Sequence, residues 1–217
     1  KTISKRAQKA HYPAPYSIID LWISYGGSGN AAYYAEAKSI SKLFFTATSK
    51  NLIRVYFLRQ RLSGLSTRTS PVKRVHVIGA GVMGANIAAW CGLKNLVVTV
   101  QDSKKEIIEP ALSKASTLFN RRLKNPAALD SAYNRLRSDP EGETISQAEV
   151  VIEAIIEELE AKKELFEKIE KNLDPATLLA TNTSSIDIEQ ISKHLKHPER
   201  FIGLHFFNPV DRLPLVE

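Results

Sequence analysis

A histidine and a carboxylate stand twelve residues apart near the end of this 217-residue chain: His205, after the apolar run Phe201, Ile202 and Leu204, and Glu217, after Leu213, Leu215 and Val216. Two extended segments joined by a turn at Asn208-Pro209 would bring their side chains together. A histidine held by a carboxylate is a proton-transfer pair. A hydroxyl-rich stretch, Thr181-Asn182-Thr183-Ser184-Ser185, follows the apolar run Leu178-Leu179-Ala180. A hydroxyl there can hold a substrate oxygen, and it can equally cap a helix starting near Ile186. Taken singly, Ser184 and Ser185 read as caps, His205 as a satisfied core residue and Glu217 as a strand-end charge.

A third motif shifts the balance. Gly79-Ala80-Gly81-Val82-Met83-Gly84 is a G-x-G-x-x-G pattern that follows a short apolar strand, Val75-His76-Val77-Ile78, and opens a helix. In that context Gly79 permits a tight turn, Gly81 lets the backbone approach a pyrophosphate and Gly84 allows close helix–strand packing. The N–H groups at the helix start then face the phosphates. Asp102 lies 23 residues after Gly79, at the end of a second strand. An acid there accepts hydrogen bonds from both ribose hydroxyls and repels a 2′-phosphate. Ser103, not an arginine, comes next, which favours NAD over NADP. Base, carboxylate, hydroxyl and dinucleotide loop together fit oxidation of an alcohol with hydride transfer to a nicotinamide: the histidine takes the hydroxyl proton, Glu217 tunes it, and a donor of the hydroxyl-rich 181–185 stretch holds the oxygen.

The elements that must position these groups follow from periodicity. Strands at Val75–Ile78, Leu96–Val100, Val150–Ile152 and Leu178–Ala180 alternate with helices: one from the glycine loop to about Cys91, two more to roughly Arg137, and one over 157–173. That alternation predicts an α/β fold, a Rossmann-type, doubly wound, mostly parallel sheet covered on both faces. Before Ser70-Pro71 the pattern differs. Helical repeats follow Pro13 and Pro15, then Tyr33, and then a cap expected at Ser49. Ten of the 17 aromatic residues fall in these first 70 positions, too many for three short helices to enclose.

Charge is also unevenly placed. Residues 1–70, including Lys1 and Arg68, carry eleven Lys and Arg against Asp20 and Glu36, a net +9; the remainder is −2. The basic residues are dispersed, which points to a solvated helical surface and away from a nucleic-acid partner. The single Cys91 excludes an intrachain disulfide and reads as a buried structural thiol. His76, inside a strand, reads as a packing histidine. No Cys/His/Asp cluster has metal-ligand spacing, and no apolar run reaches the ~18 residues of a membrane span.

The glycine loop, Val-Ile-Glu-Ala-Ile-Ile-Glu (151–157), Asn-Thr-Ser-Ser (182–185) and His-Phe-Phe-Asn-Pro-Val…Leu-Val-Glu (205–217) resemble the NAD-binding domain of L-3-hydroxyacyl-CoA dehydrogenases over about residues 72–217. The resemblance implies that Ser184 holds the substrate 3-oxygen, His205 is the base, Glu217 its partner and Asn208 a supporting polar contact. It implies NAD contacts at Gly79, Gly81, Val82, Met83, Gly84, Asp102, Glu157, Lys162 and Asn182. Ala85 and Asn86 depart from further glycines that many relatives carry. Ala-Gln-Lys-Ala-His-Tyr-Pro-Ala-Pro (7–15) looks like the connector between hydratase and dehydrogenase halves of multifunctional beta-oxidation enzymes, and Asp211-Arg212-Leu213-Pro214 is closer to that group than to stand-alone dehydrogenases.

The implied organisation is a helical linker or hydratase tail over 1–70 and an NAD-binding domain over 71–217, with the family's C-terminal helical domain absent. The implied partners are an acyl-CoA substrate, the missing hydratase and C-terminal domains, and a thiolase subunit. The implied location is bacterial cytoplasm, with mitochondrial matrix as the alternative. A piece of this kind is expected to bind NAD with little turnover. Two rival readings remain at this point: a dehydrogenase for another hydroxy acid, and a non-catalytic NAD-binding scaffold with residues 1–70 as a docking arm.

Overall fold

Residues 3–64, 70–213 and 215–217 are described by the structure, a computed structural model. Lys1, Arg68 and Pro214, which entered the charge and motif readings, lie outside the described residues. The chain divides into two units, Lys1–Ser70 and Pro71–Glu217.

The first unit is helical. Helix α1 (Ala14–Tyr25) begins at the prolines, whose missing N–H is no loss in a first turn, and ends where Gly26 adopts φ 73° and donates to the Trp22 carbonyl. Helix α2 (Asn30–Phe44) packs on α1, and α3 (Ala47–Gly64) follows. The cap of α3 is Thr46, not Ser49: the Thr46 hydroxyl accepts from the Ser49 N–H at 3.2 Å, so the helix starts earlier than expected. None of the residues in these three helices is buried, and Trp22 and Tyr34 are 69% and 74% exposed. The rings are therefore not enclosed within this unit.

The second unit is a six-stranded sheet with every strand parallel. In chain order it runs β1 (Arg74–Ile78), α4 (Val82–Leu93), β2 (Val97–Gln101), α5 (Ile108–Arg122), α6 (Pro126–Arg135), β3 (Leu136–Ser138), β4 (Val150–Glu153), α7 (Leu159–Glu170), β5 (Leu178–Thr181), α8 (Ile188–Ser192) and β6 (Phe201–Gly203). The spatial order is β3-β2-β1-β4-β5-β6. The winding reverses between β1 and β4, the switch point of a Rossmann fold, and all carboxyl ends lie along one edge.

Alternation along the strands divides the core. Val75, Val77, Val98, Val100 and Ile152 pack with Ile87, Ala88, Ile108 and Ala111 of α4 and α5. Ile78, Val151 and Leu179 pack on the other side with Phe166, Ile169, Ile191 and Phe201. Phe166 is fully buried and meets Phe201 edge-on, with ring centres 4.8 Å apart. Burial of such a ring contributes about 1.5–3 kcal/mol.

Strand β3 escapes the periodicity argument. The helix expected to reach Arg137 stops at Arg135, and Leu136–Ser138 forms an edge strand on Val98–Val100. Three residues with one apolar side chain carry too short a pattern to read as a strand. His76 is fully buried, with Nδ1 2.7 Å from the Thr99 hydroxyl and Nε2 3.1 Å from Gln101 Oε1. Burial pushes its pKa down, offset in part by Gln101 and the nearby Asp139. It is a satisfied core histidine.

Candidate active site

The glycine loop connects β1 to α4 at the switch point. Gly79 has φ 105°, and a Cβ there would come 2.4 Å from the Ala154 carbonyl oxygen; one on Gly84 would come 1.7 Å from the Gly79 carbonyl oxygen. Both positions demand glycine because backbone, not a flexible side chain, fills the space. A Cβ on Gly81 would meet nothing within 4 Å. Protein packing therefore does not account for Gly81, whereas a ligand lying against the loop would, which is the fit a dinucleotide pyrophosphate requires. Val82, at the mouth of the loop, is 61% exposed, and Met83 is half-buried against the core.

Asp102 is brought to this loop from the end of β2. Its Oδ2 accepts from the Ala80 N–H at 2.7 Å and its Oδ1 from the Lys104 N–H at 2.9 Å. The carboxylate thus helps to fix the loop, and with about four acceptor sites it retains capacity for more donors.

Past β4 lies a network that sequence reasoning only half anticipated. Glu153 is fully buried; it accepts from the Ile155 N–H at 2.7 Å, the Thr181 hydroxyl at 2.6 Å and the Lys162 ammonium at 2.6 Å. Lys162 is 1% exposed and also lies 3.3 Å from Glu157 Oε2. Its ammonium is turned onto these two carboxylates and faces no solvent, so it reaches the crevice through Glu157. Glu153 went unrecognised; the available signal was an acid ending an apolar strand with a lysine nine residues on.

Glu157 in turn gathers the loop after β5. One oxygen accepts from the Thr183 hydroxyl, the Ser184 N–H (3.0 Å), the Ser185 N–H (3.2 Å) and the Ser185 hydroxyl (3.1 Å). Partial burial works against its charge, but the donors from Thr183 and Ser184 and the Lys162 ammonium prevail and hold its pKa down at about 2. Ser184 is exposed, held by its backbone and not by its hydroxyl. The capping reading of Ser184 and Ser185 is corrected here: α8 begins at Ile188, and its cap is Asp187, which accepts from the Glu189 N–H at 3.0 Å.

His205 follows β6. Its backbone N–H donates to the Glu217 carbonyl at 2.8 Å, the Glu217 N–H returns to the His205 carbonyl at 3.0 Å, and Phe206 bridges Val216 in antiparallel fashion. This pairing faces the two side chains toward each other, His205 Nδ1 lying 3.3 Å from Glu217 Oε2. With Nδ1–H donated to Glu217, the Nε2 lone pair is the free base. His205 is 24% and Glu217 62% exposed.

The histidine segment is tied to the serine loop by the Leu204 N–H on the Thr181 carbonyl (2.9 Å) and the Phe206 N–H on Asn182 Oδ1 (2.8 Å). Asn208 Oδ1 accepts from Asn86 Nδ2 of α4 at 3.3 Å, giving that departure from glycine a role. The Asn208–Pro209 bond is cis, and Asp211 pairs with Arg121 and Arg122 at the end of α5. Of the expected site residues, the structure therefore gathers Glu157, Lys162, Asn182, Ser184, His205, Asn208 and Glu217 at the carboxyl edge, which the glycine loop and Asp102 share.

Among the described residues no group of three or more His, Cys, Asp or Glu side chains is placed to hold a metal ion. Cys91 is buried, and desolvation raises its pKa to about 12. No helix among the described residues is long and apolar enough to cross a membrane.

The family description "3-hydroxyacyl-CoA dehydrogenase, NAD binding domain" matches residues 74–217. A fatty acid oxidation complex subunit alpha of Pseudomonas savastanoi pv. phaseolicola is 33% identical over 216 residues, 95% of this chain and 30% of that protein. The chain thus spans about 30% of the length of such curated relatives. Among solved structures, 3-hydroxybutyryl-CoA dehydrogenase of Escherichia coli K12 superposes with a TM-score of 0.65 at 38% identity, covering 68% of this chain and 32% of that one. FadB2 of M. tuberculosis gives 0.63 at 34% identity, covering 68% and 53%.

Proposed function

Because this chain belongs to the 3-hydroxyacyl-CoA dehydrogenase family through its NAD-binding domain, we propose that it supplies the cofactor half of an enzyme that oxidises (S)-3-hydroxyacyl-CoA to 3-ketoacyl-CoA in fatty-acid oxidation. The glycine loop and Asp102 hold the pyrophosphate and ribose of NAD, and Val82, Met83, Glu157 and Asn182 line its path. NAD, when bound, supplies the acceptor for the hydride leaving C3. Ser184 donates to the 3-oxygen and holds it in place. His205 Nε2 takes the hydroxyl proton as the C3–O bond becomes a carbonyl. Glu217 fixes the imidazole tautomer and stabilises the imidazolium, the part a carboxylate plays behind a catalytic histidine. Asn208, braced by Asn86, adds a polar contact at the rim.

One observation carries this reading: the His205–Glu217 pair is hydrogen-bonded, through Leu204 and Phe206, to the loop that presents Ser184. In this reading residues 1–70 connect to a hydratase half in the whole protein, and the exposed apolar side chains of α1–α3 support that. The bacterial relatives favour a bacterial cytoplasmic setting. The 217-residue chain by itself binds NAD and turns over substrate poorly, since His205 is partly and Glu217 largely exposed to water.

The test is His205→Gln in the full-length protein. Turnover of a 3-hydroxyacyl-CoA should fall by about 10²–10⁴, the usual worth of a general base, with NAD affinity unchanged. Equal loss of NAD affinity would make His205 structural.

A further inference from the structure

Glu153, Lys162 and Glu157 together leave one uncompensated negative charge at the carboxyl ends of β4 and β5. Glu153 and Lys162 neutralise each other at 2.6 Å, sealed from solvent at 0% and 1% exposure. Glu157 lies at the crevice, 39% exposed, and one of its oxygens is bonded to the Ser184 N–H. If Ser184 holds the oxygen on the carbon that loses hydride, the nicotinamide ring must come within reach of Ser184 and so of Glu157. That ring carries a positive charge when oxidised and none when reduced.

We propose that Glu157 shifts the ratio of affinities at this site toward the oxidised cofactor, and so acts as a determinant of redox-state specificity as well as the anchor of the 183–185 loop. The inference rests on the reading of Ser184 given above. The burial of Lys162 is what sets the sign: an ammonium facing the crevice would favour the reduced form, whereas here it is sealed between Glu153 and Glu157, one cation against two carboxylates. Glu217 has the same sign as Glu157, but at 62% exposure it is screened by water. Asp102 belongs to the ribose end and sees no change of charge on reduction.

One charge acting on another in a partly solvated crevice alters an affinity ratio by about three- to tenfold. The experiment measures dissociation constants of NAD⁺, NADH and ADP-ribose for the full-length protein by calorimetry at low salt. Glu157→Gln keeps an acceptor for the loop and removes the charge. It should weaken NAD⁺ about three- to tenfold relative to both NADH and ADP-ribose. Glu157→Asp keeps the charge and should keep the wild-type NAD⁺/NADH ratio. An unchanged ratio in Glu157→Gln overturns the inference.

Should that variant lose all three ligands, Ile156→Lys supplies the same change of charge. Ile156 is exposed beside Glu157, and the substitution leaves the loop hydrogen bonds in place. An unchanged ratio in Ile156→Lys overturns the inference equally. A wild-type protein that binds none of the three defeats both this inference and the proposed function. One that shows the charge effect yet leaves 3-hydroxyacyl-CoA unoxidised defeats only the roles of Ser184 and His205.

Discussion

Lys162→Met removes the positive member of a buried ion pair and keeps most of the aliphatic stem. The ammonium lies 2.6 Å from Glu153, with both side chains at 1% exposure or less. Orphaning one partner of such a pair costs about 3–5 kcal/mol, because a charge is left without compensation in a low-dielectric interior. Glu153 would keep the Ile155 N–H and the Thr181 hydroxyl, each a hydrogen bond to a charged acceptor. The loss should therefore fall near the lower end, about 3 kcal/mol. With a urea m-value of about 2 kcal/mol/M, the midpoint moves down by about 1.5 M.

The assay is urea unfolding followed by Trp90 fluorescence in a Trp22→Phe background, which reports on the Pro71–Glu217 unit alone. The double variant Glu153→Gln/Lys162→Met leaves no buried orphan charge, Glu157 being 39% exposed, and should recover to within about 1 kcal/mol of wild type. A single-variant loss below about 1 kcal/mol, or a double variant as unstable as the single, would refute the view that the two charges act as one buried unit.

Gly81→Val and Gly84→Ala should part company. The first fills open space and should leave the unfolding midpoint within about 0.5 kcal/mol of wild type while NAD binding disappears in calorimetry; the second drives a Cβ to 1.7 Å from the Gly79 carbonyl oxygen and should lower stability and binding together. Acid sensitivity follows from Glu157. Its folded pKa of about 2 lies below its ordinary 4.5, so the stability it contributes is complete above pH 4.5 and is lost as pH falls from there toward 2. Acid titration of Glu157→Gln by circular dichroism should show a shallower loss across that interval, and an identical profile would contradict the assignment.

Much of this site was legible in the chain because its signals are local. The G-x-G-x-x-G spacing, the acid at Asp102 and the alternation of strand and helix are set within a few turns of backbone, where period and steric demand act directly. The pairing of His205 with Glu217 was also legible, since a hairpin of twelve residues needs only extended flanks and a turn. Where local signals were weak or duplicated, the reading slipped. Thr46 and Asp187 took the caps that Ser49, Ser184 and Ser185 were equally suited to form. Leu136–Ser138 was too short to announce itself as a strand.

Other features had no local signal at all. Whether Lys162 would face a cofactor or a buried carboxylate depended on β4 lying between β1 and β5, which carries Glu153 beside Thr181 and beneath α7. The tie between Asn86 and Asn208 joins residues 122 positions apart. The sequence by itself determined a dinucleotide loop, a histidine–carboxylate pair and the fold able to carry them, because these are properties of spacing along the chain. Only the tertiary structure decided which charges are buried and which one faces the crevice, because strand order brings together groups that the chain keeps far apart.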